Sequence, residues 1–219
     1  MHDIKYQKVT AVVAAYNEAK TIARVLKSIK KCKYINQIVV VDDGSKDKTY
    51  ELAKKFATNV IRHKKNQGKS EAIISAIPKV ENKIVFLCDA DLINLTSDIC
   101  EQIIEPVAKG DADMSIGMRN YGIFNRIAYF HPSISGERAI SINTLKQGIK
   151  SAHFHNWGME LVLDYYCKTH NLKTVQRPYP YNHTPQVDKR GLISGLGEVI
   201  NQAVILVKVF AAIKFKGWR

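Results

Sequence analysis

Cysteine is scarce and scattered. Cys32, Cys88, Cys100 and Cys167 form no CxxC pair and no framework spacing, which excludes a disulfide-stapled secreted scaffold and a zinc finger. We read the four as reduced thiols filling the core of a cytosolic protein. No uninterrupted apolar run approaches the ~20 residues that a membrane span requires. Met1-His2-Asp3-Ile4-Lys5 lacks the apolar stretch of a secretory signal. Gly68-Lys69-Ser70 has no glycine upstream at position 63, which is His63, so a Walker-type ATPase is disfavoured. Ser133, Ser135 and Ser141 sit in no Gly-x-Ser-x-Gly turn, and a serine hydrolase is rejected. His153 and His155 have no Cys or acidic partner at zinc spacing and read as ordinary polar residues. Low-complexity tracts, internal repeats and a long linker are also missing.

What is there is a globular composition: 219 residues, 46% hydrophobic and 24% charged, enough for one large domain or two small ones, with no need of a disulfide or metal staple. Acidic residues are outnumbered, with 33 Lys and Arg against 20 Asp and Glu, a net charge of +13. Such an excess either aids solubility or favours an anionic partner, whether nucleic acid, lipid headgroup or phosphate-bearing substrate. Nucleic acid is disfavoured because the aromatics do not interleave with the basic residues in an RNA-binding pattern.

The first half alternates strand and helix signals. Apolar runs at 8–15, 38–41, 59–61, 84–88 and 112–117 predict strands. Helical spacing predicts helices over 18–31, 46–57, 68–78 and 96–109. Strands separated by such helices imply right-handed crossovers and an α/β fold with a mostly parallel, doubly wound sheet. In such sheets ligands bind beyond the carboxyl ends of the strands. Three polar clusters fall at those ends: Tyr16-Asn17-Glu18, Asp42-Asp43-Gly44-Ser45 and Asp89-Ala90-Asp91. The second half is less regular. We expect a loop with a short helix over 120–135, an amphipathic helix over 157–170, a substrate-covering loop over 177–190 and an apolar helix from Leu196 to Phe215.

Each cluster admits a chemical and a plain reading. Asp89 and Asp91, one residue apart after an apolar strand, can hold Mg²⁺ or Mn²⁺ beside substrate phosphates, or simply form a polar turn. A carboxylate in Asp42-Asp43-Gly44-Ser45 can accept from a nucleobase N–H, or the segment can cap the next helix through Ser45 or Asp47. Lys69 near a helix N-terminus can face a phosphate, or be solvated.

Taken in order, Val12-Val13-Ala14-Ala15-Tyr16-Asn17-Glu18, Val40-Val41-Asp42-Asp43-Gly44-Ser45, Asn66-Gln67-Gly68-Lys69-Ser70-Glu71-Ala72 and Phe86-Leu87-Cys88-Asp89-Ala90-Asp91-Leu92 resemble the family-2 glycosyltransferases, over roughly the first 120 residues. The subgroup they are most similar to is the dolichyl-phosphate mannose synthase and polyprenyl-phosphate glycosyltransferase type, and a likeness to glucosyl-phosphoglycerate synthases is also visible. The resemblance implies the three-layer α/β/α nucleotide-sugar transferase fold called GT-A. It implies that Ala14, Tyr16, Glu18, Val41 and Asp43 line a nucleoside site, with Ala90 contacting the nucleotide. Asp89 and Asp91 would hold Mg²⁺ or Mn²⁺ on the diphosphate, Asp91 being central to catalysis. Arg119 would meet a sugar or acceptor phosphate. Ser135-Gly136-Glu137-Arg138 matches a Ser-Gly-x-Arg segment near that phosphate, which makes Arg138 a catalytic candidate. His183 and Lys189 fall where the subgroup places basic residues against nucleotide phosphates, and His183 is also a candidate metal ligand. The usual Pro-x-Tyr-Asn-Glu reads Ala14-Ala15-Tyr16-Asn17-Glu18, a departure that alters loop stiffness more than chemistry.

The implied reaction moves a sugar from a GDP- or UDP-sugar to an acceptor. A lipid phosphate acceptor is largely dianionic near neutral pH, since a phosphate monoester's second pKa is ~6. It needs cations rather than a base, and Arg119, Arg126 and Arg138 suit that. A hydroxyl acceptor needs a base, for which Glu160 is the candidate. The expected organisation is a transferase domain over 1–195 and a C-terminal amphipathic helix over 196–219 that lies on an anionic membrane surface or docks on a membrane partner. The expected location is the cytoplasmic face of a membrane. The alternative is the same fold acting in solution on phosphoglycerate or a glycan.

Overall fold

The computed structural model describes residues 7–119, 135–151 and 158–180. Seven strands form one sheet: β1 (Val9–Ala15), β2 (Ile35–Asp42), β3 (Asn59–Arg62), β4 (Ile84–Asp89), β5 (Met114–Arg119), β6 (Arg138–Ser141) and β7 (Thr174–Tyr179), in the order β3-β2-β1-β4-β6-β5-β7. β1 pairs in parallel with both β2 and β4, and β3 joins β2 in parallel. β6 is the exception, antiparallel to both β4 and β5, while β7 returns parallel to β5. The sheet is therefore mostly parallel and wound in both directions from β1.

Side-chain alternation explains why helices cover both faces. Val9, Ala11, Val13, Ile38, Val40, Ile84 and Phe86 point into one core with Ile22, Val25, Leu26 and Ile29 of α1 (Ile22–Lys31) and with Ile103 and Ile104 of α4 (Ser97–Ala108). The short α2 (Thr49–Ala53) adds Ala53 to this side. Val12, Val39, Val41, Val85 and Leu87 point the other way, onto α3 (Lys69–Ala76), α5 (Ile142–Ser151) and α6 (Met159–Thr169) through Ala72, Ile73, Leu145, Met159 and Leu163. The result is three layers, α/β/α. Cys32, Cys88, Cys100 and Cys167 are all buried within it as thiols, outside any disulfide.

Several elements depart from the sequence reading. Helix α1 begins at Ile22 rather than Glu18, because Asn17 takes a left-handed φ of 55° and the Glu18 carbonyl accepts from Thr21 N and Ile22 N to close the turn. Helix α2 is far shorter than 46–57, since Asp47 and Thr49 are drawn into bonds with the 17–19 turn. Strand β6 and helix α5 are additions. Residues 174–179 are a strand, so the expected loop over 177–190 overlaps β7 at its start. The expected loop-and-helix over 120–134 and the helix from Leu196 lie outside the described residues, as does the 195/196 boundary. Among the described residues, no helix is long and apolar enough to cross a membrane.

Candidate active site

The register brings the polar clusters to one edge. Ala15 lies opposite Asp42, and Ala14 lies opposite Asp89, so the carboxyl ends of β2 and β4 flank that of β1, where the winding direction reverses. This is the position at which doubly wound sheets bind ligands.

The loops after β1 and β2 are stitched together. Asn17 N donates to Ser45 Oγ at 2.9 Å, Glu18 N to Thr49 Oγ1 at 2.8 Å and Ala19 N to Asp47 Oδ2 at 3.0 Å. In return Lys46 N donates to Asn17 Oδ1 at 2.8 Å. Ser45 and Asp47 thus brace the 17–19 turn, and Lys48, which contributes no side-chain bond, caps α2. Half-buried Ala14, Tyr16 and Glu18 sit at this edge, whereas Val41 is wholly buried in the core beneath α3.

Asp43 faces inward. Its side chain is 4% exposed, and both oxygens are engaged. Oδ1 accepts from Gln67 N at 2.9 Å and Oδ2 accepts from Gly68 N at 2.8 Å. His63 Nδ1 lies 2.6 Å from Oδ1. A carboxylate can only accept, so Nδ1 carries the proton, and Nε2 meets the Ser75 hydroxyl at 2.9 Å. Asp43 therefore braces the 63–68 loop and the start of α3. Gly44 is essential to this arrangement: its φ is +78°, and a Cβ there would fall 2.7 Å from Lys65 C and 2.8 Å from Asn66 N.

The brace delivers Lys69. Its Nζ lies 2.5 Å from Asp89 Oδ1 and 2.6 Å from Glu160 Oε1, joining α3, the tip of β4 and the first turn of α6. Burial alone would lower the Lys69 pKa, but the adjacent Asp89 and Glu160 charges raise it well above its ordinary value. For Glu160, burial pushes upward and is outweighed by Lys69 and then Arg138, which hold the carboxyl below the usual range. Gly136 floors the cluster. A Cβ there would come within 2.5 Å of Asp89 Oδ2, 2.6 Å of Asp89 Oδ1 and 2.7 Å of Lys69 Nζ.

Arg138 lies close enough to this group for its charge to act on Glu160. It is fully buried, its Nη2 donates to the Ser135 carbonyl at 3.0 Å and its Nη1 pairs with Asp164. It thus orients the 135–137 segment against α6. Glu137, also buried, accepts from Ser135 Oγ at 3.0 Å and Tyr179 Oη at 2.8 Å. Together they lock the glycine in place.

Asp89 and half-buried Asp91 suit a hard divalent cation. Both offer only oxygen. Asp89 already bears a positive charge at hydrogen-bond distance, and Gly136 leaves its carboxylate uncrowded. Among the described residues, no group of three or more His, Cys, Asp or Glu converges as a metal cage. Two carboxylates with waters and substrate phosphates match how Mg²⁺ is commonly held. Buried Ala90 separates the two acids. Arg119 closes β5, but its side chain lies outside the described residues, as do Arg126, His183 and Lys189. Sequence reasoning placed Gly136 in a Ser-Gly-x-Arg segment without its role against Asp89, and gave no site role to His63, Ser75 or Asp164. Each acts through a partner 12 to 47 residues away or across the sheet, and no local pattern signals that.

Residues 10–164 match the family model described as Glycosyl transferase family 2. An uncharacterised protein of Methanocaldococcus jannaschii is 32% identical over 96% of this chain and 96% of its own length. A dolichol-phosphate mannosyltransferase of Pyrococcus furiosus is 32% identical over 51% of this chain, and a dolichyl-phosphate beta-glucosyltransferase of Saccharomyces cerevisiae is 27% identical over 80%. The aligned region spans only 33% and 58% of those two transferases. Among solved structures, glucosyl-3-phosphoglycerate synthase from Mycobacterium tuberculosis, in complex with Mn²⁺ and UDP-glucose, superposes with a TM-score of 0.63 at 20% identity, covering 90% of this chain and 77% of that one.

Proposed function

Because the chain belongs to glycosyl transferase family 2, we propose that it transfers a sugar from a UDP- or GDP-sugar to a polyprenyl- or dolichyl-type lipid phosphate with the help of Mg²⁺ or Mn²⁺. The observation that carries this reading is the Lys69–Asp89–Glu160 cluster over Gly136, at the sheet edge where β1 meets β4. The lipid phosphate acceptor is supported by the two named relatives, which are dolichyl-phosphate glycosyltransferases.

Asp89 and Asp91 would hold the cation beside the donor diphosphate. When bound, the cation neutralises charge that builds on the leaving phosphate. Lys69, on its flexible stem, adds a second positive charge on the same side. Ala14, Tyr16, Glu18, Ala90 and Lys189 would border the nucleotide, with Val41 and Asp43 shaping the site from beneath. Arg119 and His183 would serve the acceptor and donor phosphates. A phosphate acceptor near neutral pH has lost its protons, so Glu160 need not act as a base. Its role in that case is to orient Lys69, with Arg138 keeping it ionised.

A second reading is supported by the likeness to glucosyl-3-phosphoglycerate synthase across 90% of the chain: transfer to a soluble phosphorylated or hydroxyl acceptor, with Glu160 as general base. The distinguishing experiment offers labelled UDP-glucose and GDP-mannose with either a short-chain polyprenyl phosphate or 3-phosphoglycerate, in Mn²⁺ and in EDTA. The lipid reading expects organic-phase product that disappears in EDTA. Product with 3-phosphoglycerate alone overturns that acceptor, and undiminished turnover in EDTA overturns the metal role.

A further inference from the structure

The Lys69 ammonium sits on Oδ1 of Asp89, one of the two oxygens a metal ion on that carboxylate would use. It lies 2.5 Å from Asp89 Oδ1 and is tethered from the far side by Glu160 Oε1 at 2.6 Å. A divalent cation binds carboxylate oxygen at roughly 2.0–2.1 Å, so an ion on that carboxylate would share its immediate surroundings with the ammonium. Like charges so close, in a half-buried cluster poorly screened by water, exclude one another. The short Asp89 side chain has little reach with which to separate the two cations, whereas the lysine has much. Lys69 can leave. Its side chain is 39% exposed on a four-carbon stem, and a diphosphate arriving at this edge offers the ammonium a stronger anionic partner.

We propose that Lys69 is a built-in counter-cation that keeps the metal position on Asp89 closed until a nucleotide diphosphate draws the ammonium away. The inference rests on the reading of Asp89 and Asp91 as metal ligands. It makes cation binding conditional on nucleotide, and by linkage the coupling is reciprocal. Phosphate oxygens would join the metal in any such site and produce some synergy by themselves, so the informative quantity is metal affinity without nucleotide.

The test measures free Mn²⁺ by electron paramagnetic resonance during titration of the full chain, with and without UDP. Lys69→Met is expected to bind Mn²⁺ without UDP roughly tenfold or more tightly than the parent, and to gain less from UDP, as expected of coupled sites that differ 5–150-fold. Glu160→Gln, which removes one of the two charges tethering the lysine, is expected to fall between them. Lys64→Met, which removes an exposed lysine outside the cluster, controls for net charge and should match the parent. Asp89→Asn should abolish binding in both conditions. Equal nucleotide-free affinity in the parent and Lys69→Met, with binding still lost in Asp89→Asn, overturns the counter-cation and leaves the metal site intact. Unchanged binding in Asp89→Asn overturns both.

Discussion

At the scale of single residues, the site depends on what is missing at position 136 as much as on its charged groups. Gly136→Ala places a methyl within 2.5 Å of Asp89 Oδ2, and the carboxylate must move. A misplacement of that size costs roughly 100-fold in catalysis. We expect kcat/KM to fall by about that factor while far-UV circular dichroism stays unchanged. Asp43 supplies a different test. Asp43→Ala strips acceptors from Gln67 N and Gly68 N, and stranded donors of this kind cost about 1–3 kcal/mol, readable by urea unfolding. Since the carboxylate braces a loop, UDP- and GDP-sugar affinities should decline together; a selective loss of one base would restore a direct nucleobase contact. The acids and Lys69 were legible singly in the sequence, from their places after strands and before a helix. Their convergence was not, because Glu160 reaches Lys69 across 91 positions of chain. The inward turn of Asp43 was equally hidden, since it is set by backbone donors at 67 and 68 that carry no sequence signature.

Glu160 also predicts a pH dependence. Its carboxyl is held below the ordinary range in the folded protein, with burial opposing and Lys69 and Arg138 prevailing. A depressed carboxyl contributes stability that is present above the unfolded pKa and is lost as pH falls through the folded one. Glu160→Gln should therefore melt below the parent at neutral pH, and thermal scans should show the gap closing once the solution is more acidic than the usual carboxylate range. The raised Lys69 pKa acts in the opposite window: its contribution is intact below the ordinary lysine pKa and disappears only as pH climbs through the folded value.

At the scale of elements, the apolar parallel strands announce themselves and the others do not. β1, β2 and β4 are buried on both faces, so they read as continuous apolar runs. β6 has only four residues and begins at Arg138, a pairing no periodicity can resolve. β7 carries Gln176, Arg177 and Pro178, a composition tolerated because it closes the sheet at an edge, where a proline breaks no interior ladder. Helix α4 was legible at its start because Thr96 is a true cap, its Oγ1 accepting from Ile99 N at 3.3 Å. Thr96→Ala should cost about 1 kcal/mol, measured as a shift in the urea midpoint with an unchanged slope.

At the scale of the whole molecule, two cores on opposite faces of one sheet give the fold, and the basic residues of α1 lie outside them. Along α1, Arg24, Lys27, Lys30 and Lys31 are exposed while Ile22, Val25, Leu26 and Ile29 are buried. The helix thereby contributes to a net +13 without disturbing the interior. If the acceptor is a membrane lipid, co-sedimentation with phosphatidylserine vesicles should be strong at low salt and weaken as salt rises, each lysine near the surface adding about 1 kcal/mol. Equal pelleting with neutral vesicles would assign the attraction to apolar contacts instead.

Antiparallel β6 has a further consequence. β5 ends at Arg119 and β6 starts at Arg138, and they are clasped at the same sheet edge by Gly117 N donating to the Glu137 carbonyl at 2.9 Å. The ends of β5 and β6 are therefore both held at the edge that carries Asp89, by the same frame that sets Gly136.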